Sequence, residues 1–144
     1  MLDLVFKNYT SQKNLPEKFF RNILAIGLKT LKLNKKQVEI SVNLVGDSKM
    51  RSLNKKYRNK DRVTDVLSFP LEENFGGRLL LGDVFICLSF AKKQAKRENI
   101  DIEDKLAQLM VHGFLHLLGY GHEKSSKNAK KMFKLENKIL KNIK

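Results

Sequence analysis

Apolar and polar residues alternate at Leu2, Leu4 and Phe6, and again at Val38, Ile40, Val42 and Leu44. This is the period-two pattern of strands with one face in a core. The second run is the clearest strand pattern in the chain, and the first reads as a short edge strand. Between them Asn14 and Pro16 signal a helix start, and Phe20, Ile23, Leu24, Gly27, Leu28 and Leu31 recur at helical spacing. Gly46-Asp47-Ser48 is a turn and cap leading into a short helix with Met50, Leu53 and Tyr57 on one face. Val66 to Phe69 reads as a strand stopped by Pro70, followed by a loop with Glu72, Glu73 and Gly76-Gly77. Leu79 to Cys87 is apolar except at Gly82-Asp83, which suits a central strand.

Helical patterning returns from Ser89 to about Asn99, and again from Asp101 or Asp104 to Gly119. In the tail from Ser126, Met132, Leu135, Ile139 and Ile143 share one helical face and lysines fill the other positions. These segments predict a mixed α/β fold with about four strands and about five helices. With 144 residues, no repeat and no long linker, the expectation is one domain over residues 1–144.

Charge changes the picture. Lys and Arg total 29 against 15 Asp and Glu, a formal net charge of +14. Lysine can simply replace neutral surface residues, but so basic a surface suits a polyanion, because neutralised phosphates release their counterions. The expected partner is therefore nucleic acid. No segment approaches the roughly 18 apolar residues that a membrane span needs, and Met1-Leu2-Asp3-Leu4 lacks the basic start of a secretion signal. The single cysteine, Cys87, lies in an apolar run and fits a buried thiol in a reducing compartment. A cytoplasmic protein without a membrane partner is expected.

All three histidines fall at His112, His116 and His122. Residues four apart lie on one face of a helix, so His112 and His116 can bind one metal. Gly119 suits the left-handed end of that helix, after which the chain can fold back and deliver His122. A lone histidine on an apolar face is usually a core residue; three in this pattern, with none elsewhere, point to a metal. Three protein ligands leave a fourth position open, as in catalytic rather than structural zinc sites. The offsets match the metzincin peptidase pattern, whose glutamate base follows the first histidine. Here that position is Gly113, which weakens a peptidase reading unless Glu123 or another carboxylate substitutes. A metal can also acidify water and polarise a phosphoryl oxygen. Phosphodiester cleavage would further need a cation on the phosphate, preferably a guanidinium.

The stretch from Leu53 to Pro70, which includes Tyr57-Arg58-Asn59-Lys60-Asp61-Arg62 and Val63-Thr64-Asp65-Val66-Leu67-Ser68-Phe69, resembles a signature of the YbeY family. So do Leu81-Gly82-Asp83 and the block from His112 to His122, in the family's order, and the resemblance covers about Val38 to Glu123. It implies a metal-dependent endoribonuclease directed at single strands, with a zincin-like metal helix and one zinc per chain on His112, His116 and His122. It also implies a role in ribosomal RNA maturation, notably at the 3′ end of the small-subunit RNA, and in ribosome quality control. RNA, the ribosome or its small subunit would be the partner, with DNA not expected. Arg58 matches the family's functional arginine and would contact the phosphate or stabilise transition-state charge; by residue type alone it is a solvated base beside Lys55, Lys56 and Lys60. One departure is Gly121, where the family usually carries aspartate before the third ligand.

Other residues admit two readings. Asp65 and Asp83 are either carboxylates behind the site or turn residues. Thr64 and Ser68 read as structural. Tyr57 and Phe69 stack on bases or, more commonly at such spacing, pack in a core. The lysines from Lys124 to Lys144 read as a solvated helix face that adds RNA affinity. Two rivals remain at this level: a small metallopeptidase, and a non-enzymatic ribosome assembly factor with structural zinc. Nickel and copper also suit imidazole ligands.

Overall fold

The computed structural model describes residues 1–121 and 126–143, and the backbone alone for residues 72–75. Four strands, β1 (Leu2–Asn8), β2 (Gln37–Val45), β3 (Val66–Phe75) and β4 (Arg78–Cys87), form one mixed sheet in the order β1-β2-β4-β3. β1 and β4 each pair with β2 in parallel, while β3 runs antiparallel to β4 along the edge. Helices α1 (Glu17–Thr30), α2 (Asp47–Arg58), α3 (Leu88–Glu98), α4 (Ile102–Leu117) and α5 (Ser126–Ile143) complete the fold. The mixed α/β class and the central place of β4 agree with the sequence pattern.

Strand alternation divides the apolar residues between the two faces of the sheet. Val38, Ile40, Val42, Val84 and Ile86 join Phe20, Leu24, Leu106, Met110, Phe114 and Ile139 in one large core. α4 is the centre of this layer, touching β3, β4, α1, α3 and α5. Leu67 and Cys87 face the other way and pack with Val45 and Met50 beneath α2, with Phe69 and Phe85 beside them. Cys87 is buried there, and burial pushes its thiol pKa up, which keeps it unreactive.

One boundary differs from the sequence reading. Pro70 does not end β3, which continues to Phe75 and turns into β4 through Gly76-Gly77. An edge strand tolerates proline because its outer side needs no ladder bond, and the β3–β4 register shifts between Pro70 and Glu73. Gly82 then lies inside β4, at a bulge where the register with β2 also shifts. Its φ is +124°, and a Cβ there would stand 2.1 Å from the carbonyl oxygen of Phe69. That bulge allows Leu81 to be accommodated while Val84 and Ile86 still face the core. No described helix is long and apolar enough to cross a membrane.

Gly82→Ala should therefore lower stability by at least the roughly 1–3 kcal/mol of a strained backbone position, read as a lower urea midpoint. An unchanged midpoint would contradict the role assigned to this bulge.

Candidate active site

α4 is apolar on most of its circumference, because it is covered by the sheet below and by three helices around it. Leu106, Met110, Val111, Phe114, Leu115 and Leu117 are all buried. In the second half of α4, His112 and His116 are the half-exposed residues, one turn apart on one side. Their Nε2 atoms are 2.9 Å apart and their rings meet at 78°. The helix ends as its glycine predicts. Gly119, at φ +98°, forms the left-handed cap, with its N–H donating to the His116 carbonyl and that of Tyr120 to the Leu115 carbonyl. The cap turns the chain directly after the second histidine.

The two imidazoles open into a cleft of about 320 Å³ that is also lined by Arg58, Asp65, Val66, Ser68 and Gly121. Arg58 reaches it as the last residue of α2, where Asn59 adopts a left-handed conformation and stops the helix. The following loop is held at two points. Buried Asn54 donates to the Arg62 carbonyl at 3.0 Å, and Arg51 pairs with Asp61 at 2.7 Å. The second pair is exposed and contributes little by itself; the buried amide is the stronger anchor. Arg58 thus stays in solvent at the end of α2, beside a loop of fixed course.

The nitrogen separation is close to that of two ligands on one tetrahedral ion. Bonds of about 2.0–2.1 Å put such nitrogens roughly 3.3–3.4 Å apart, a few tenths of an ångström from the observed spacing. The pair therefore fits a metal. Among the described residues no third His, Cys, Asp or Glu completes a cluster with them. His122 and Glu123 lie outside the described residues.

Gly113 shows why the peptidase glutamate is missing. A Cβ there would approach Val84 Cγ1 at 2.9 Å, Ser68 Oγ at 3.2 Å and Val66 Cγ2 at 3.3 Å. This side of α4 lies on the sheet against the floor of the cleft, and no glutamate fits in the gap. Ser68 also donates to the Gly113 carbonyl at 3.0 Å, joining β3 to α4. Gly121 is similarly confined: at φ +80°, a Cβ would lie 2.8 Å from both His116 Cε1 and Met132 Sδ. An aspartate at that position would press on the His116 ring.

The ambiguous residues now separate. Asp65 lines the cleft, but its carboxylate is engaged by the Val66 N–H at 2.7 Å and the Gln94 side-chain amide at 3.1 Å. Asp83 does not join the histidines. It faces the opposite side of the sheet and accepts a hydrogen bond from Ser41 at 2.5 Å. Thr64 donates to the Asp65 carboxylate at 3.4 Å, and Ser68, which lines the cleft, ties β3 to α4. Phe69 packs edge-on against both Phe85 and Tyr57, while Tyr57 itself is 57% exposed. Sequence reasoning missed Glu136, whose Oε1 is 2.6 Å from His112 Nδ1. A signal was present: Glu136 is the one carboxylate in α5, and it sits four residues after buried Met132 and three before buried Ile139.

Replacing Gly113 tests this packing. Alanine gains about 1 kcal/mol in helix propensity but meets an overpacking cost of about 1–3 kcal/mol, so Gly113→Ala should unfold at lower urea than wild type. Gly113→Glu should unfold lower still and acquire no peptidase activity. A glutamate variant as stable as wild type would overturn the argument.

Comparison with known proteins agrees with this architecture. The family model described as Endoribonuclease YbeY matches residues 5–144. A Sulfurihydrogenibium protein named Endoribonuclease YbeY is 45% identical over 128 residues, covering 88% of this chain and 83% of its own. The Oenococcus oeni protein of that name is 43% identical and covers 97% and 95% of the two chains. The solution structure of TM1509 from Thermotoga maritima superposes with a TM-score of 0.69 at 30% identity, over 98% of this chain and 89% of that one. The chain belongs to the Endoribonuclease YbeY family.

Proposed function

We propose that the cleft cleaves single-stranded RNA, with His112, His116 and His122 as ligands of one divalent metal, zinc by preference, and Arg58 as the catalytic cation. The observation that carries this reading is the convergence of the two Nε2 atoms at 2.9 Å in a cleft that Arg58 also lines. The metal, when bound, would supply Lewis-acid polarisation of a phosphoryl oxygen and a more acidic water.

The chain's own groups perform the remaining tasks. Arg58 offers up to two parallel N–H bonds from a cationic guanidinium to a phosphate, so it both orients the scissile group and stabilises charge that develops on it. Its exposure is compatible with this, since a polymeric substrate must enter from solvent. The net charge of +14 raises the local concentration of RNA around the cleft. Asp65 is held by Val66 and Gln94, which limits it to shaping the cleft wall. Either water or the RNA's own 2′-hydroxyl can attack; a cyclic phosphate product identifies the second route.

Family membership and basic charge support ribosomal RNA as the substrate, with maturation of the small-subunit 3′ end and ribosome quality control as the setting. On this reading the protein works in the cytoplasm with the ribosome or small subunit as partner and without DNA or membrane. Zinc is preferred for imidazole ligands with an open fourth position.

Arg58→Ala should slow cleavage of a single-stranded RNA about 10²–10³-fold, the usual effect of removing one transition-state donor, with metal content unchanged. Arg58→Lys should recover only part of the loss, because ammonium cannot make the paired contact. Wild-type cleavage by Arg58→Ala would remove Arg58 from the mechanism. RNA binding without cleavage by wild type would favour the assembly-factor reading.

A further inference from the structure

Glu136 is the unexplained charge behind the cleft, against His112. It comes from α5, a helix whose other charged residues are all lysines, and lies on the stripe that carries buried Met132 and Ile139. α5 is tied to the layer at several points: Asn142 bonds Thr30 of α1 at 3.1 Å, and Lys131 stands over the Tyr120 ring at 5.7 Å. Met132 packs where a Gly121 Cβ would be. The helix therefore delivers the Glu136 carboxylate to the side of His112 away from His116, where Oε1 meets Nδ1 at 2.6 Å.

A carboxylate can only accept, so the proton of this bond sits on Nδ1. Neutral imidazole carries one ring proton, and placing it on Nδ1 leaves the Nε2 lone pair unprotonated. Nε2 is the atom that faces His116 at 2.9 Å. With no acceptor at Nδ1, the ring can carry its proton on Nε2 and can also rotate out of line. The pair is partly exposed, with side chains 41% and 22% accessible, so its contribution to folding is small. Its contribution to ligand geometry is not limited in that way, since it fixes both tautomer and ring plane.

We infer that Glu136 is a positioning residue for the metal, holding His112 in the tautomer and orientation that present Nε2 as a ligand, so that metal affinity depends on the docking of α5. This rests on His112 being a ligand. A purely structural ion pair between α4 and α5 would have a different signature: loss of stability without loss of metal affinity.

The test measures Zn²⁺ affinity by competition with a chromophoric chelator for wild type, Glu136→Ala, Glu136→Gln and His112→Ala, with unfolding midpoints of the metal-free proteins. Glu136→Ala should bind Zn²⁺ about 10–100-fold more weakly than wild type, while its metal-free midpoint barely moves. Glu136→Gln keeps an oxygen acceptor and should recover most of the affinity. In metal-free wild type, nitrogen NMR should show the His112 proton on Nδ1, and Glu136→Ala should show it shared between the two nitrogens. Wild-type affinity in Glu136→Ala, beside a clear loss in His112→Ala, would overturn the inference and leave the metal site standing. Equal affinity in wild type and His112→Ala would instead overturn the ligand assignment on which it rests.

Discussion

The cleft depends on how closely α4 lies against the β3–β4 hairpin. The contact is made at Gly113, where the absence of a side chain lets Val66, Ser68 and Val84 approach the helix backbone. Ser68 locks the approach through the Gly113 carbonyl. Because successive helix residues are about 100° apart, seating Gly113 on the sheet turns His112 and His116 towards the rim beside β3. Phe114 fills the next direction, against Gly27 of α1, where a Cβ would stand only 2.9 Å from its ring. The orientation of the imidazole pair is thus a consequence of packing on two other sides of the same helix.

This arrangement also explains the chemical class. Metzincin peptidases need a glutamate directly after the first histidine, and here that position belongs to the core. The groups that do reach the rim are a guanidinium, two imidazoles and the engaged carboxylate of Asp65. Such a set suits an anionic substrate better than a peptide. The excess of cations elsewhere on the chain points the same way, although its effect at long range is screened within about 10 Å at 0.1 M salt. In the proposed mechanism Arg58 acts on the phosphate being cleaved, whereas general basicity acts on capture of the strand.

Much of this was legible in the sequence where information is local. The His112/His116 pair follows from helical spacing, the cap at Gly119 from the needs of a left-handed residue, and β2 and β4 from their apolar patterns. Arg58 was legible through resemblance, since residue type alone does not separate it from Lys55 or Lys60. The failures are those of long-range contact. Pro70 ends a strand only where its missing N–H matters, and nothing local says that β3 is an edge. Asp65 and Asp83 look alike beside apolar runs, yet the two lie in different places, one on the cleft wall and one on the far face of the sheet, held by Ser41. Glu136 is 24 residues from His112, and only its odd place on the apolar stripe of a lysine-rich helix distinguished it.

The central claim is that the histidine cluster makes this chain a metal-dependent ribonuclease. The most direct test is cleavage of a labelled single-stranded RNA by zinc-loaded wild type and His116→Ala, purified side by side. The account predicts cleavage by wild type that disappears in the variant, which also excludes a contaminating ribonuclease. Equal cleavage by both proteins, or none by either, would contradict it.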